Sequence, residues 1–176
     1  DTGVKAHLLR RISRERVKRE LFMILGLPKA YESILQLLRT GIITQLLPEL
    51  DRYHAVQQSS PHDYNLLLHL LKTVEHIDAI VRDDYAILEP YRAHVREYFK
   101  ETIEEGVTRL ALLVFTALLH DSGKYGTGNS DAGRITFHGH EKEGEFCNRA
   151  IAHRLGLGQN AQKIVGQITR QHMRIL

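Results

Sequence analysis

The sequence is poor in cysteine, in net charge and in long apolar runs, and each shortage excludes something. A lone cysteine, Cys147, among 176 residues leaves no disulfide framework and no CxxC zinc site. A reducing, intracellular and cytoplasmic setting is then the simpler expectation. The longest apolar run covers residues 110–119, too short to span a bilayer, and nothing at the start has the make-up of a signal peptide. No membrane partner is expected. GxSxG and HExxH are absent, so serine-hydrolase and zincin chemistry have nothing to rest on. "SGKYG", 122–126, is not a Walker loop, because it lacks the preceding glycine at the required spacing and the Ser/Thr after lysine. There is no internal repeat, no low-complexity tract and no Asn-Gly hairpin signal between alternating strands.

What is present reads as helix. Hydrophobic content of 43% supports a core, and 26% charged residues keep the surface wet. Ser13 behind Ile12 and ahead of Val17 fits an N-cap with a hydrophobic staple, predicting a helix from about Arg14 to Leu25 that Gly26 and Pro28 end. A second helix is predicted over 31–40, stopped by Gly41, and "LLPEL", 46–50, closes a small helical unit. The polar stretch "QQSSPHD", 57–63, reads as a joint. Longer helices are predicted over 64–81, 87–104, 107–121, 139–155 and 160–173, with Pro90 near a helix start, where proline is tolerated. "KYGTGNSDAGRITF", 124–137, is left as an irregular segment with three glycines, and a loop of that length is often functional.

Net charge is only +3, yet its sign is unevenly placed: residues 1–60 hold ten Lys/Arg against six Asp/Glu. Arg10, Arg11, Arg14, Arg16, Lys18 and Arg19 form a cluster that suits a phosphate backbone; a solvated helix face explains it as well.

The eleven histidines are many for this length. His7, His54, His62, His94 and His153 lie in polar or amphipathic contexts and read as surface residues. His76 is two turns on from His69, about 10 Å, which is far for one metal ion. Four positions stand apart: His69, His120 beside Asp121, His140 and His172, each inside or at the end of an apolar pattern on a different predicted helix. Leu110–Leu119 is apolar on all sides, as a buried helix is. His120 and Asp121 are therefore expected deep in the protein, where a carboxylate needs an opposite charge or a metal. Imidazoles converging with one carboxylate suit a borderline divalent ion such as Mn, Fe, Co, Ni or Zn. Gly123 ends the helix, so the adjacent His and Asp can point the same way. Lys124 follows as a point charge for a phosphate, and a bound ion would activate water and polarise a phosphoryl oxygen.

His69, His120-Asp121 and the "HD-x-GK" context resemble the HD superfamily of metal-dependent phosphohydrolases. "ALLHDSGK", "FHGHEKEGEF" and "RQHMRI" are similar, more narrowly, to the HD domain of bacterial tRNA nucleotidyltransferases, the CCA-adding enzymes and related poly(A) polymerases. "RISRERVKRELFMIL" and "LLRTGIITQLLPEL" resemble that family's helical RNA-binding segment. The resemblance implies an all-α fold, with an RNA-binding segment over 1–56 followed by an HD domain over 57–176. It implies tRNA or another RNA as partner, through the basic cluster. It implies a divalent ion (Mg, Mn, Ni, Co, Fe or Zn) held by His69, His120, Asp121, His140 and His172, with His120, Asp121 and Lys124 catalytic. A nucleotide or 2′,3′-cyclic phosphate would be the substrate. The family's nucleotidyl-transfer head carries a glycine-serine turn and paired aspartates. Gly-Ser, Gly-Gly and Asp-x-Asp are all missing here, so that head is expected before Asp1 in a longer parent. The superfamily's final aspartate ligand is also missing, since no Asp follows Asp131; it is expected beyond Leu176, with Asp131 as a substitute. A hydrolase module, a non-catalytic tRNA-binding module and a plain helical domain with hydrogen-bonded core histidines are the three readings these features allow.

Overall fold

Ser13 caps helix α1 (Arg14–Leu25), its hydroxyl accepting the Arg16 amide at 3.4 Å. The computed structural model describes residues 8–9, 11–58, 64–131 and 134–175; Arg10, His7, His62 and residues 59–63 of the joint lie outside the described residues. Helices α2 (Ala30–Arg39), α3 (Ile42–Leu46) and α4 (Glu49–Tyr53) complete the first segment. The N-cap residue of α2, Lys29, makes no side-chain cap bond. The cap comes from elsewhere: Asp78, buried on α5 (Leu66–Arg82), accepts the Tyr31 amide at 2.8 Å. Burial pushes the Asp78 carboxyl above its ordinary range although that amide bond pulls the other way.

Asn65 caps α5 by accepting the Leu68 amide at 2.9 Å, and Thr108 caps α7 (Arg109–Ala117) through the Ala111 amide at 3.2 Å. Helix α7 is the central element. Its Phe115 ring lies 5.2 Å from that of Phe22 on α1. One apolar cluster joins Leu21, Ile34 and Leu50 of the first segment to Leu70, Phe115, Leu118 and Val165 of the second. Each such side chain, fully buried, stabilises the fold by roughly 1.5–3 kcal/mol. Helices α9 (His140–Arg154) and α10 (Gln159–Gln171) pack closely together, and a single 3₁₀ turn, His172–Ile175, follows.

The fold is all-α, with ten α-helices and two short hairpins among the described residues. The hairpins correct the sequence expectation. The helix expected over 87–104 is instead a 3₁₀ turn (Ala86–Leu88), helix α6 (Arg92–Lys100) and strand β1 (Thr102–Glu104). Proline 90 lacks an N–H and holds Glu89 extended, at φ −61° and ψ 141°, so α6 cannot begin before it. Strand β1 pairs antiparallel with β2 (Val107–Thr108) across a turn in which Gly106 takes φ +74°. The described part of 124–137 is likewise regular, with α8 (Lys124–Thr127) and strand β3 (Asn129–Asp131) paired antiparallel with β4 (Arg134–Thr136). The helix expected to reach residue 121 ends at Ala117, and turns carry the chain to Gly123. Glutamate 104 ties these parts together: it binds Lys18 of α1 at 2.8 Å and the Gly158 amide at 2.8 Å. No helix among the described residues is long and apolar enough to cross a membrane.

Candidate metal centre

Three of the four singled-out histidines stand at or just beyond helix ends, and each bonds a nearby backbone carbonyl. His120 follows α7 and its Nδ1–H donates to the Ala117 carbonyl at 2.8 Å. His172 ends α10 and donates to Thr169 at 2.6 Å, while His140 opens α9 and donates to Phe137 at 2.7 Å. Each acceptor is three residues back. A carbonyl can only accept, so the proton sits on Nδ1 in all three, and a neutral ring then presents a bare Nε2. Those Nε2 atoms turn inward on Asp121, which is 2% exposed. His69, in the first turn of α5, joins them.

The carboxylate divides its surroundings. Its Oδ2 lies 3.1 Å from His69 Nε2, 3.4 Å from His120 Nε2 and 2.8 Å from Lys124 Nζ. Its Oδ1 lies 3.2 Å from both His140 Nε2 and His172 Nε2, which are 3.3 Å from each other. Among the described residues this buried Oδ1 has no hydrogen-bond partner. Burial works to raise the Asp121 carboxyl, but the contacts with His120, His140, His172 and His69 outweigh it and hold the group ionised, well below the usual carboxylate range. For His172, burial works to lower proton affinity, and the neighbouring Asp121 and the Thr169 carbonyl overcome it and raise it.

With both rings neutral, three acceptors face one another at Oδ1, and a cation relieves that arrangement, either a proton on a ring or a metal ion. Imidazole nitrogen with carboxylate oxygen is a donor set for borderline divalent ions. Nδ1–H bonds to carbonyls are the support that metal-binding histidines commonly have. Two triads of ligand atoms share Asp121: His69 with His120, and His140 with His172, the atoms of each triad lying within 4.8 Å of one another. The residues fit a divalent ion.

All five candidate ligands thus meet in one place. Lys124 meets them too, but buried: it binds Asp121 and Gln58 Oε1, each at 2.8 Å, and lies 5.5 Å from the Phe137 ring centre. Part of the charge partner sought for Asp121 is thus this lysine, three residues on. His76 stays outside the cluster, exposed, with Nδ1 on the Lys72 carbonyl. Of the basic cluster, Arg11, Arg14, Arg16 and Arg19 are exposed, whereas Lys18 is spent on Glu104. Arg16, Lys18 and Arg19 line a shallow cleft of about 300 Å³ together with Glu15 and Glu105.

The residues that brace the turn were overlooked in the sequence. Ser122 Oγ donates to Asn148 Oδ1 at 2.8 Å, and Asn148 Nδ2 donates to the Leu119 carbonyl at 2.8 Å and to Thr169 Oγ1 at 3.0 Å. The signal was there: His140, Gly144 and Asn148 are spaced by four and share one buried face of α9, as Ala161, Val165 and Thr169 do on α10. Gly123 sits so close to α9 that a Cβ would overlap the His140 carbonyl and the Gly144 amide.

A helical bundle in which a His-Asp turn receives histidines from three other helices is an HD-domain arrangement, and the family model described as "HD domain" matches residues 66–175. The family model described as "Probable RNA and SrmB- binding site of polymerase A" matches residues 5–53. Over 165 residues the chain is 30% identical to an A-adding tRNA nucleotidyltransferase of Deinococcus radiodurans, an alignment covering 90% of this chain and 31% of that protein. The chain belongs to the tRNA nucleotidyltransferase/poly(A) polymerase family, of which it carries the RNA-binding segment and the HD domain. It spans about a third of the length of the curated relative it matches.

Proposed function

We propose that this chain is the RNA-contacting and HD-domain part of a tRNA nucleotidyltransferase-like RNA-processing protein, and that its HD centre is a metal-dependent phosphohydrolase. Residues 1–56 would grip RNA and residues 57–176 would form the hydrolase module. The observation that carries the reading is the buried Asp121 Oδ1, without a hydrogen-bond partner among the described residues and 3.2 Å from two histidine Nε2 atoms. A divalent ion held there by His69, His120, Asp121, His140 and His172 would supply Lewis acidity and an activated water. Lys124 contributes a positive charge for a phosphate oxygen, as of a nucleotide or a 2′,3′-cyclic phosphate, and Asp121 stays ionised to hold it in place. Arg11, Arg14, Arg16 and Arg19 offer the first segment's charge to tRNA or another RNA.

Lys124 also favours a second reading. Its ammonium compensates Asp121 without any metal, as a structural HD fold serving only to bind RNA would require. Metal content by mass spectrometry, on protein purified without chelator or histidine tag, separates the two, with Asp121→Ala alongside. About one ion or more per chain, lost in the variant and accompanied by cyclic-phosphate hydrolysis, supports the hydrolase. A metal-free, folded chain that still binds tRNA leaves the binding module.

A further inference from the structure

Phe146 is 74% exposed in the middle of α9, an apolar ring held in water on an ordered helix. It stands on the ridge between two concave surfaces. On one side a cleft of about 420 Å³ is lined by Arg52 of α4, Tyr125 of α8 and Cys147. Tyr125 is itself 52% exposed, and the Arg52 guanidinium lies 5.9 Å from its ring centre. On the other side an open hollow of about 540 Å³ is lined by Lys142 and Arg149, one turn before and after Phe146 on the same helix.

The charges on this surface are unbalanced where it matters. Two of the three neighbouring carboxylates are paired, Glu49 with Arg154 at 2.7 Å and Glu145 with Arg170 at 3.7 Å, while Glu143 accepts the Cys147 thiol at 3.6 Å and keeps its charge. Arg52, Lys142 and Arg149 are exposed and make no ion pair among the described residues. Free cations interleaved with exposed aromatic faces in a groove suit a flexible polyanion whose planar groups stack, which is single-stranded nucleic acid. A flat lipid surface would not follow two concave faces on either side of one ridge. The cleft also lies at the seam of the two segments, since Arg52 falls within the matched RNA-binding segment and Phe146 within the HD domain.

We infer that an unpaired stretch of RNA docks across α9, stacking bases on Phe146 and Tyr125 and laying phosphates on Arg52, Lys142 and Arg149. This rests on the RNA-binding part of the function proposed above and moves the principal contact from the α1 cluster to the α4–α8–α9 seam.

The test uses the whole 176-residue chain and a short fluorescein-labelled single-stranded RNA of mixed sequence, read by anisotropy over a range of salt. Phe146→Ala should weaken binding about tenfold and Phe146→Tyr should restore it. Alanine at Arg52, Lys142 or Arg149 should each reduce the salt slope by about one. Bound RNA should slow alkylation of Cys147 by N-ethylmaleimide. All four positions are exposed, and circular dichroism checks the fold of each variant. RNA binding that ignores Phe146, leaves Cys147 unprotected and falls only with Arg14→Ala and Arg16→Ala would overturn the inference and keep the RNA-binding reading. A wild type that binds no RNA, or binds only anionic lipid vesicles, would overturn both.

Discussion

Asn148 Nδ2 lies 2.8 Å from the carbonyl oxygen of Leu119, the residue just before the His-Asp pair. One buried side chain on α9 therefore holds the turn that carries His120 and Asp121, and through Thr169 it also holds the end of α10 that carries His172. Asn148→Ala leaves the Leu119 carbonyl with the Ser122 amide alone, at 2.9 Å, and takes away the acceptor of the Ser122 hydroxyl and the donor to Thr169. A loss of about 1–3 kcal/mol is expected in denaturant unfolding. Divalent-ion affinity should fall about tenfold to a hundredfold, read by competition with a chromophoric chelator. A variant with full stability loss and unchanged metal affinity would show that Asn148 braces the bundle and not the site.

Gly123→Ala forces a methyl group into the His140 carbonyl and the Gly144 amide, both backbone, which cannot swing away. Overpacking of this kind costs about 1–3 kcal/mol or more. Three residues on, Gly126→Ala meets only Glu143 Cγ, at 3.8 Å, an ordinary contact, and should stay within about 0.5 kcal/mol of wild type. Thermal melts of the pair measure the contrast; equal melting would refute the close crossing of turn and helix.

Proton and metal compete at His172. Its proton affinity is raised in the metal-free fold, so its contribution to stability is fully present below the ordinary value of 6.5 and is lost as pH rises through the raised one. Metal binding must run the other way, strengthening as pH rises and releasing a proton. Melting temperatures with and without added Mn or Zn should therefore diverge with rising pH. His172→Ala should flatten the metal-free dependence and reduce the proton release seen by calorimetry in two buffers. Metal-induced stabilisation independent of pH would contradict this arrangement.

Glu49 and Arg154 join α4 to α9 through two bonds of 2.7 and 2.9 Å. Burial works to raise the Glu49 carboxyl, yet the bonds to Arg154 bring it below its ordinary 4.5. Its stabilisation is thus present above 4.5 and lost as pH falls through the depressed value. Glu49→Gln should cost about 0.5–1 kcal/mol near neutrality and nothing in strong acid, as denaturant midpoints at a series of pH values would record. An equal loss at every pH would mean that shape, not charge, matters at this seam.

Helices were legible because their apolar spacing and caps are local: Ser13, Asn65 and Thr108 each act on an amide three residues on. The burial of His120 and Asp121 followed from the unbroken apolar run before them. The strands were not legible, since Thr102–Glu104 and Val107–Thr108 are too short for a periodic pattern. Lys124 reads in the sequence only as a point charge for a phosphate, because nothing local says that a lysine after a glycine will fold back on a carboxylate three positions earlier. Asn148 and Thr169 look like surface residues one at a time and like core residues only when the helical period is drawn through His140 and Ala161.

Asp78 has a consequence for anyone who would cut this chain in two. It sits on the helix that carries His69, yet its carboxylate closes the open end of α2, 47 residues earlier. Separating the chain between α4 and α5 would expose the apolar seam, leave the first amides of α2 without their cap and return Asp78 to water. The two pieces should behave as a split protein, each poorly folded when expressed alone and recovering structure when mixed. The segment matched as RNA-binding and the HD domain share one buried apolar cluster.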